Sequence, residues 1–170
     1  MFKRTMWSVG LLLMACFAQA QPVTPVDLEE LTEADDVSAY NELAMDCADY
    51  LLENSPAREN ERRLAGAYFF AWLTKSSDVS ARLSEPMLMY GEGNEDLMLI
   101  YMAGFAKSAM EDPSHKDDST SCVEDGFIAV YEYYLDHENH FDETDEIEAL
   151  IEATESDEAF AAWVEAAMEE

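Results

Sequence analysis

The sequence predicts an all-α fold, a compact bundle of about six helices that carries one disulfide. Apolar residues recur at three- and four-residue spacing over most of the chain, which is the period of an amphipathic helix. Capping residues and prolines separate these stretches, and we find no internal repeat or second domain. We therefore expect a signal peptide at 1–20, an extended leader at 21–26 and a single helical domain at 27–170.

The first twenty residues predict export. A basic Lys3-Arg4 pair precedes a mostly apolar run from Met6 to Ala18, and Ala18-Gln19-Ala20 matches a signal peptidase site. The run is too short for a permanent membrane span, so the mature protein is expected in the periplasm or outside the cell. In the alternative, residues 13–16 resemble a lipoprotein box, and Cys16 would anchor the chain to the outer membrane.

Two helical stretches are predicted before residue 76. The first begins at about Asp27, has a break near Thr32, and continues through an apolar stripe that ends at Leu51. The second begins at Ser55-Pro56, with serine as N-cap and proline at the first helical position, and ends near Lys75. Residues 76–94 are less regular, and alternating Val79, Ala81 and Leu83 predict a short extended segment near 78–84.

Four further helices are predicted after this segment. Asn94 is the expected cap of a helix that is apolar on most sides and belongs at the centre of the bundle. A helix that contains Cys122 follows a polar loop at 112–119. Thr144 and Ser156 are the expected caps of a short acidic helix and of the last helix.

The charge of the chain limits its partners. The full sequence has 38 acidic and nine basic residues, and its formal charge is −29. Two basic residues precede position 21 and no acidic residue does, so the mature chain would carry seven basic residues and a charge of −31. Such a surface repels nucleic acid and anionic membranes and attracts a basic protein or peptide. Adaptation to salt explains the same composition without any partner.

Two cysteines remain after the predicted signal peptide. Because an exported chain enters an oxidising compartment, we expect a disulfide between Cys47 and Cys122. It would close a loop of about 75 residues and contribute about 2–5 kcal/mol to stability. Neither cysteine belongs to a CxxC motif, which argues against a reactive thiol.

The order of the apolar motifs resembles a group of small, secreted, all-helical proteins of Gram-negative bacteria whose activity is uncharacterised. The motifs are residues 68–73 (YFFAWL), the irregular segment 78–83, residues 100–107 (IYMAGFAK) and the acidic helix that ends in 160–163 (FAAW). The resemblance covers about residues 55–165. It implies a helical fold and an extracytoplasmic location, but no activity, cofactor or site residue.

The sequence contains no catalytic signature. His137 and His140 are three residues apart among several acids, one residue short of the HExxH spacing, so they form an alternative metal site only if the helix continues through both. No calcium-binding loop, nucleophile motif or phosphate-binding loop is found, and we assign no cofactor.

Two side-chain groups could belong to a binding surface. Arg58, Arg62 and Arg63 form a basic cluster that pairs internally with the acidic C-terminal half or serves as an anion contact or interface anchor. The aromatic residues at 68–72 and 131–134 exceed one helix face, so we expect most of them in the core and some in an exposed groove.

These observations predict a secreted or periplasmic, non-catalytic binding or interaction protein with an acidic surface. Its partner would be a basic protein or peptide, or an apolar ligand in the aromatic groove. One alternative is a metal-dependent enzyme or cation-binding protein that uses His137 and His140. Another is a lipid-anchored envelope component.

Salt should stabilise the mature protein. Raising sodium chloride from 0.1 to 1 M shortens the screening length from about 10 to about 3 Å and weakens the repulsion among carboxylates. We expect the thermal midpoint to rise by about 5 °C or more. A flat response would contradict salt adaptation. A saturable rise with micromolar calcium or zinc at fixed salt would instead reveal a cation site.

Overall fold

Seven α-helices and two short 3-10 helices form the described part of the chain. The computed structural model describes residues 22–79, 94–112, 114–115 and 119–169. The helices are α1 (Pro25–Glu33), α2 (Asn41–Glu53), α3 (Glu59–Lys75), α4 (Glu95–Glu111), α5 (Ser119–His137), α6 (Asp145–Ala153) and α7 (Asp157–Glu169); η1 covers Ser38–Tyr40 and η2 covers Glu138–His140. The described residues contain no strand, which confirms the all-α class. The predicted signal peptide and most of the predicted extended segment near 78–84 lie outside the described residues.

Helix α4 is the centre of the bundle, as its apolar sequence predicted. Ten of its residues are buried, and it packs against α2, α3 and α5. Its contact with α5 is the most extensive in the fold. Two glycines allow this close approach: a Cβ on Gly104 would lie 2.6 Å from the Cβ of Ala129, and one on Gly126 would lie 2.6 Å from the ring of Tyr101.

The first predicted helix is divided in two. Thr24 and Asp27 form a capping box, so α1 begins at Pro25, two residues before the predicted start and inside the predicted leader. It ends at Glu33, and α2 begins only at Asn41. This break accounts for seven α-helices where about six were expected.

The second predicted helix begins later than the sequence suggested. Ser55 and Pro56 lie in a turn, where the Ser55 hydroxyl accepts a hydrogen bond from the Ala57 amide. Helix α3 begins at Glu59 instead. The predicted caps Thr144 and Ser156 are confirmed, because their hydroxyls accept hydrogen bonds from the Ile147 and Ala159 amides.

Basic side chains close the C-terminal ends of α1 and α2. The last carbonyls of a helix have no partner within it and carry its partial negative charge. The Lys75 ammonium group donates to the carbonyls of Leu31, Thr32 and Ala34 after α1. Arg62 does the same for α2, donating to the carbonyls of Leu51 at 2.5 Å and Asn54 at 2.7 Å.

Arg62 joins four helices. Its side chain is only 3% exposed and extends from α3. Besides the α2 carbonyls, it pairs with Asp96 of α4 at 3.4 Å and lies over the ring of Tyr133 of α5, 5.2 Å from its centroid. The Tyr133 hydroxyl in turn donates to the same Asn54 carbonyl. The expected pairing of the arginines with the acidic C-terminal half is therefore observed for Arg62 at Asp96, and the α2 carbonyls are additional partners that the sequence did not indicate.

The structure contains no disulfide between Cys47 and Cys122, contrary to the prediction. The two buried cysteines lie on helices that pack against α4 and have different neighbours. Cys47 of α2 lies near Tyr68 of α3, whereas the Cys122 sulfur of α5 donates to the His115 carbonyl at 3.5 Å. Burial raises the pKa of Cys47 to about 12, with further contributions from Asp46 and Asp27, so this thiol is protonated at neutral pH.

Replacement of Arg62 by alanine should strongly destabilise the protein. The substitution leaves two helix carbonyls and Asp96 without their shared partner, and we expect a loss of about 3 kcal/mol in the free energy of unfolding. Arg63→Ala, on the exposed side of the same helix, is the matched control and should cost less than about 0.5 kcal/mol. Urea unfolding followed by circular dichroism measures both. Similar losses would contradict the role assigned to Arg62.

The cysteines should react with Ellman's reagent only after unfolding. The folded, unreduced protein should give almost no signal at pH 8, because Cys47 and Cys122 are buried. In 8 M urea without reductant the same sample should release two thiols per chain. If thiols appeared only after reduction, Cys47 and Cys122 would form a disulfide, and the arrangement described here would be wrong.

Candidate functional site

An open groove lies along the side of helices α3 and α4. It has a volume of about 530 Å³. The two helices run in parallel beside it, because Arg62 contacts Asp96 near their first turns and Gly66 faces Leu99 one turn further. We call this cavity the α3–α4 groove.

One wall of the α3–α4 groove is an exposed face of α3. Glu59, Arg63, Ala67 and Phe70 recur at four- and three-residue spacing and are all exposed. Phe70 is 49% exposed, which is unusual for so large an apolar side chain beside other apolar residues. The predicted mixture of core and groove aromatics is observed here, because Tyr68, Phe69 and Trp72 of the same segment are fully buried.

The other wall is apolar and adaptable. Met98 and Leu99 of α4 are half-buried, and Met102 is buried between the groove and the core. Phe141 adds a half-buried aromatic ring beyond η2. Methionine side chains have flexible, unbranched stems that fit partners of different shapes. This wall can therefore accept an apolar side chain without a rigid pocket.

The α3–α4 groove is acidic at the end where both helices begin. Glu59, Glu95 and Asp96 line it there. The loop that contains His140 and Phe141 is attached to this end, since the Asn94 side chain exchanges two hydrogen bonds with the Asp142 backbone, each 3.3 Å long. Asn94 is thus at the predicted N-cap position, but its side chain holds this loop and makes no capping hydrogen bond within α4.

Arg63 is the exposed cation of the α3–α4 groove. Arg58 donates to the Asn54 side chain, Lys107 pairs with Asp49 and Glu111, and Arg62 and Lys75 close helix ends. Among the residues that the structure describes, Arg63 alone of the lysines and arginines has no ion pair or hydrogen bond to the protein. The three carboxylates of the lining exceed its two arginines, Arg62 and Arg63, by one charge, so a basic ligand is favoured mainly by the acidity of the whole chain.

The histidines do not form the alternative metal site in the described structure. The α-helix ends at His137, and His140 belongs to η2. The His137 Nδ1 atom lies 3.0 Å from the Tyr133 carbonyl, and its ring lies tilted beside that of Tyr133, with the ring centroids 4.5 Å apart. Across the described ranges, no group of three His, Cys, Asp or Glu side chains is placed to hold a metal ion.

Sequence reasoning missed a polar cluster between α4 and α5. The Ser108 hydroxyl donates to Asp125 at 2.5 Å and lies 2.8 Å from the His115 Nδ1 atom. In a catalytic triad the imidazole lies between the hydroxyl and the carboxylate. Here the hydroxyl lies between the other two groups and is 9% exposed, so the cluster fastens α4 to α5. The sequence does not predict this cluster, because its three residues come from three separate segments.

Burial also raises the pKa values of three tyrosines. Tyr101 and Tyr133 have pKa values raised chiefly by burial, and Arg62 partly offsets this effect at Tyr133. Burial also raises the pKa of Tyr134, with help from Glu143, Glu138 and Glu148. These phenols are protonated at neutral pH and serve as core residues.

Comparison of the chain with protein-family models, with curated proteins and with solved structures finds no match. None of the described helices combines the length and the apolarity that a membrane span requires.

Proposed function

We propose that this chain is an exported, non-catalytic binding protein and that its α3–α4 groove binds the apolar side of a basic protein or peptide. The observation that carries the proposal is the exposed Phe70 beside Met98, Leu99 and Met102 in an open groove. An exposed aromatic side chain that shares a groove with half-buried apolar residues marks an interaction site more often than an isolated apolar residue does.

Charge supports a basic partner. The acidic end of the α3–α4 groove contains Glu59, Glu95 and Asp96, and the whole chain carries 38 acidic residues against nine basic ones. Long-range attraction would accelerate the encounter, and burial of apolar side chains would stabilise the complex. The export signal that the sequence predicts at 1–20 supports a periplasmic or extracellular partner.

Replacement of Phe70 by alanine should weaken binding of a basic amphipathic peptide. The probe is a fluorescein-labelled, 14-residue peptide of leucine and lysine, with leucines at helical spacing, measured by anisotropy in 0.3 M sodium chloride to reduce nonspecific attraction. Loss of the aromatic contact removes about 1.5–3 kcal/mol, so we expect the dissociation constant to rise at least about tenfold.

Leu135→Ala is the matched control. Leu135 is 45% exposed, close to the 49% of Phe70, but it lies on α5 outside the α3–α4 groove. It should change the dissociation constant less than about twofold. Equal effects of the two substitutions, or no effect of either, would mean that the peptide is attracted only by the general charge of the protein, and the proposed site would be wrong.

A further inference from the structure

We infer that the segment bound in the α3–α4 groove is an α-helix of about three turns with basic residues at one end. This inference rests on the proposed function and adds the conformation and charge pattern of the partner.

The backbone of the groove walls excludes an extended peptide as the best ligand. Most of both walls is helix, whose amides and carbonyls beyond the first turn bond within the helix, and no described residue forms a strand to which a peptide could add. An extended segment on the apolar wall would bury backbone groups without partners, which is costly. A helix satisfies its own backbone and presents only side chains.

The dimensions of the α3–α4 groove also suit a helix. The exposed face of α3 runs from Glu59 to Phe70, which is about 16 Å or three turns at 1.5 Å per residue. The first halves of α3 and α4 lie side by side and leave a seam between them, with Arg62 opposite Asp96 and Gly66 opposite Leu99. A third helix can lie along such a seam with residues i, i+3 or i+4, and i+7 pointing inward.

The distribution of charge along the α3–α4 groove indicates where the basic residues of the bound helix would lie. Glu59 and Glu95 lie where α3 and α4 begin, beside Asp96, which already pairs with Arg62, whereas Ala67, Phe70 and Met102 form the apolar wall further along. Lysine or arginine in the first or last turn of the ligand would meet the carboxylates, and its apolar residues would reach Phe70.

Two peptides of identical composition test the inference. Each has 14 residues of leucine and lysine; in one the leucines recur at three- and four-residue spacing, and in the other they alternate with lysine as in a strand. Affinities for the full mature protein are measured by anisotropy in 0.3 M sodium chloride, with wild type, Phe70→Ala and Leu135→Ala. We expect the helical peptide to bind at least tenfold more tightly, in a Phe70-dependent manner, and to gain helicity by circular dichroism.

The outcomes separate this inference from the proposed function. If both peptides bind equally and Phe70→Ala weakens both, the groove is a binding site but the helical conformation is wrong. If the alternating peptide binds more tightly, the inference is again overturned. If neither peptide depends on Phe70, the proposed function fails as well. A Phe70-dependent dimer of the protein alone, seen by sedimentation, would assign the groove to a second copy and overturn the inference.

Discussion

The buried guanidinium of Arg62 is the contact on which the arrangement of four helices depends. A charge with 3% exposure is tolerated only where hydrogen bonds and an opposite charge replace water. The end of α2 supplies the carbonyls, α4 supplies Asp96, and α5 supplies the ring of Tyr133. Because these partners come from separate segments, the two terminal nitrogens of Arg62 find all of them only when the helices are assembled together.

The same contact creates the groove. Arg62 and Gly66 bring the first turns of α3 and α4 together in parallel, and the neighbouring face of α3 then points to solvent. The proposed binding surface is therefore the outer side of the interface that Arg62 stabilises. Phe70 lies in this groove at 49% exposure, although Phe69 and Trp72 on the same helix are fully buried.

The sequence predicted the parts of the fold that local rules control. Period and capping located the helices, and Thr144 and Ser156 cap the helices that they were expected to cap. The errors came from competing contacts: Thr24 starts α1 early through its capping box, and Ser55 joins a turn instead of a helix. The disulfide was inferred from the number of cysteines, which contains no information about the distance between α2 and α5.

The groove was only partly predictable for the same reason. An excess of aromatic residues indicated that some would be exposed, but which one faces solvent depends on how α3 lies against α4. The Ser108, His115 and Asp125 cluster could not be predicted, because its residues meet only in the folded chain.

The close contact between α4 and α5 limits which substitutions this sequence can accept. At Gly104 and Gly126 the neighbouring helix occupies the space that any side chain would need, so these two positions contribute to the fold by having no side chain. An exposed carboxylate without a partner in the fold is individually replaceable, since it interacts mainly with water. Two of the constrained positions of this highly charged chain are therefore among its smallest, and the exposed surface can change while the spacing of α4 and α5 stays fixed.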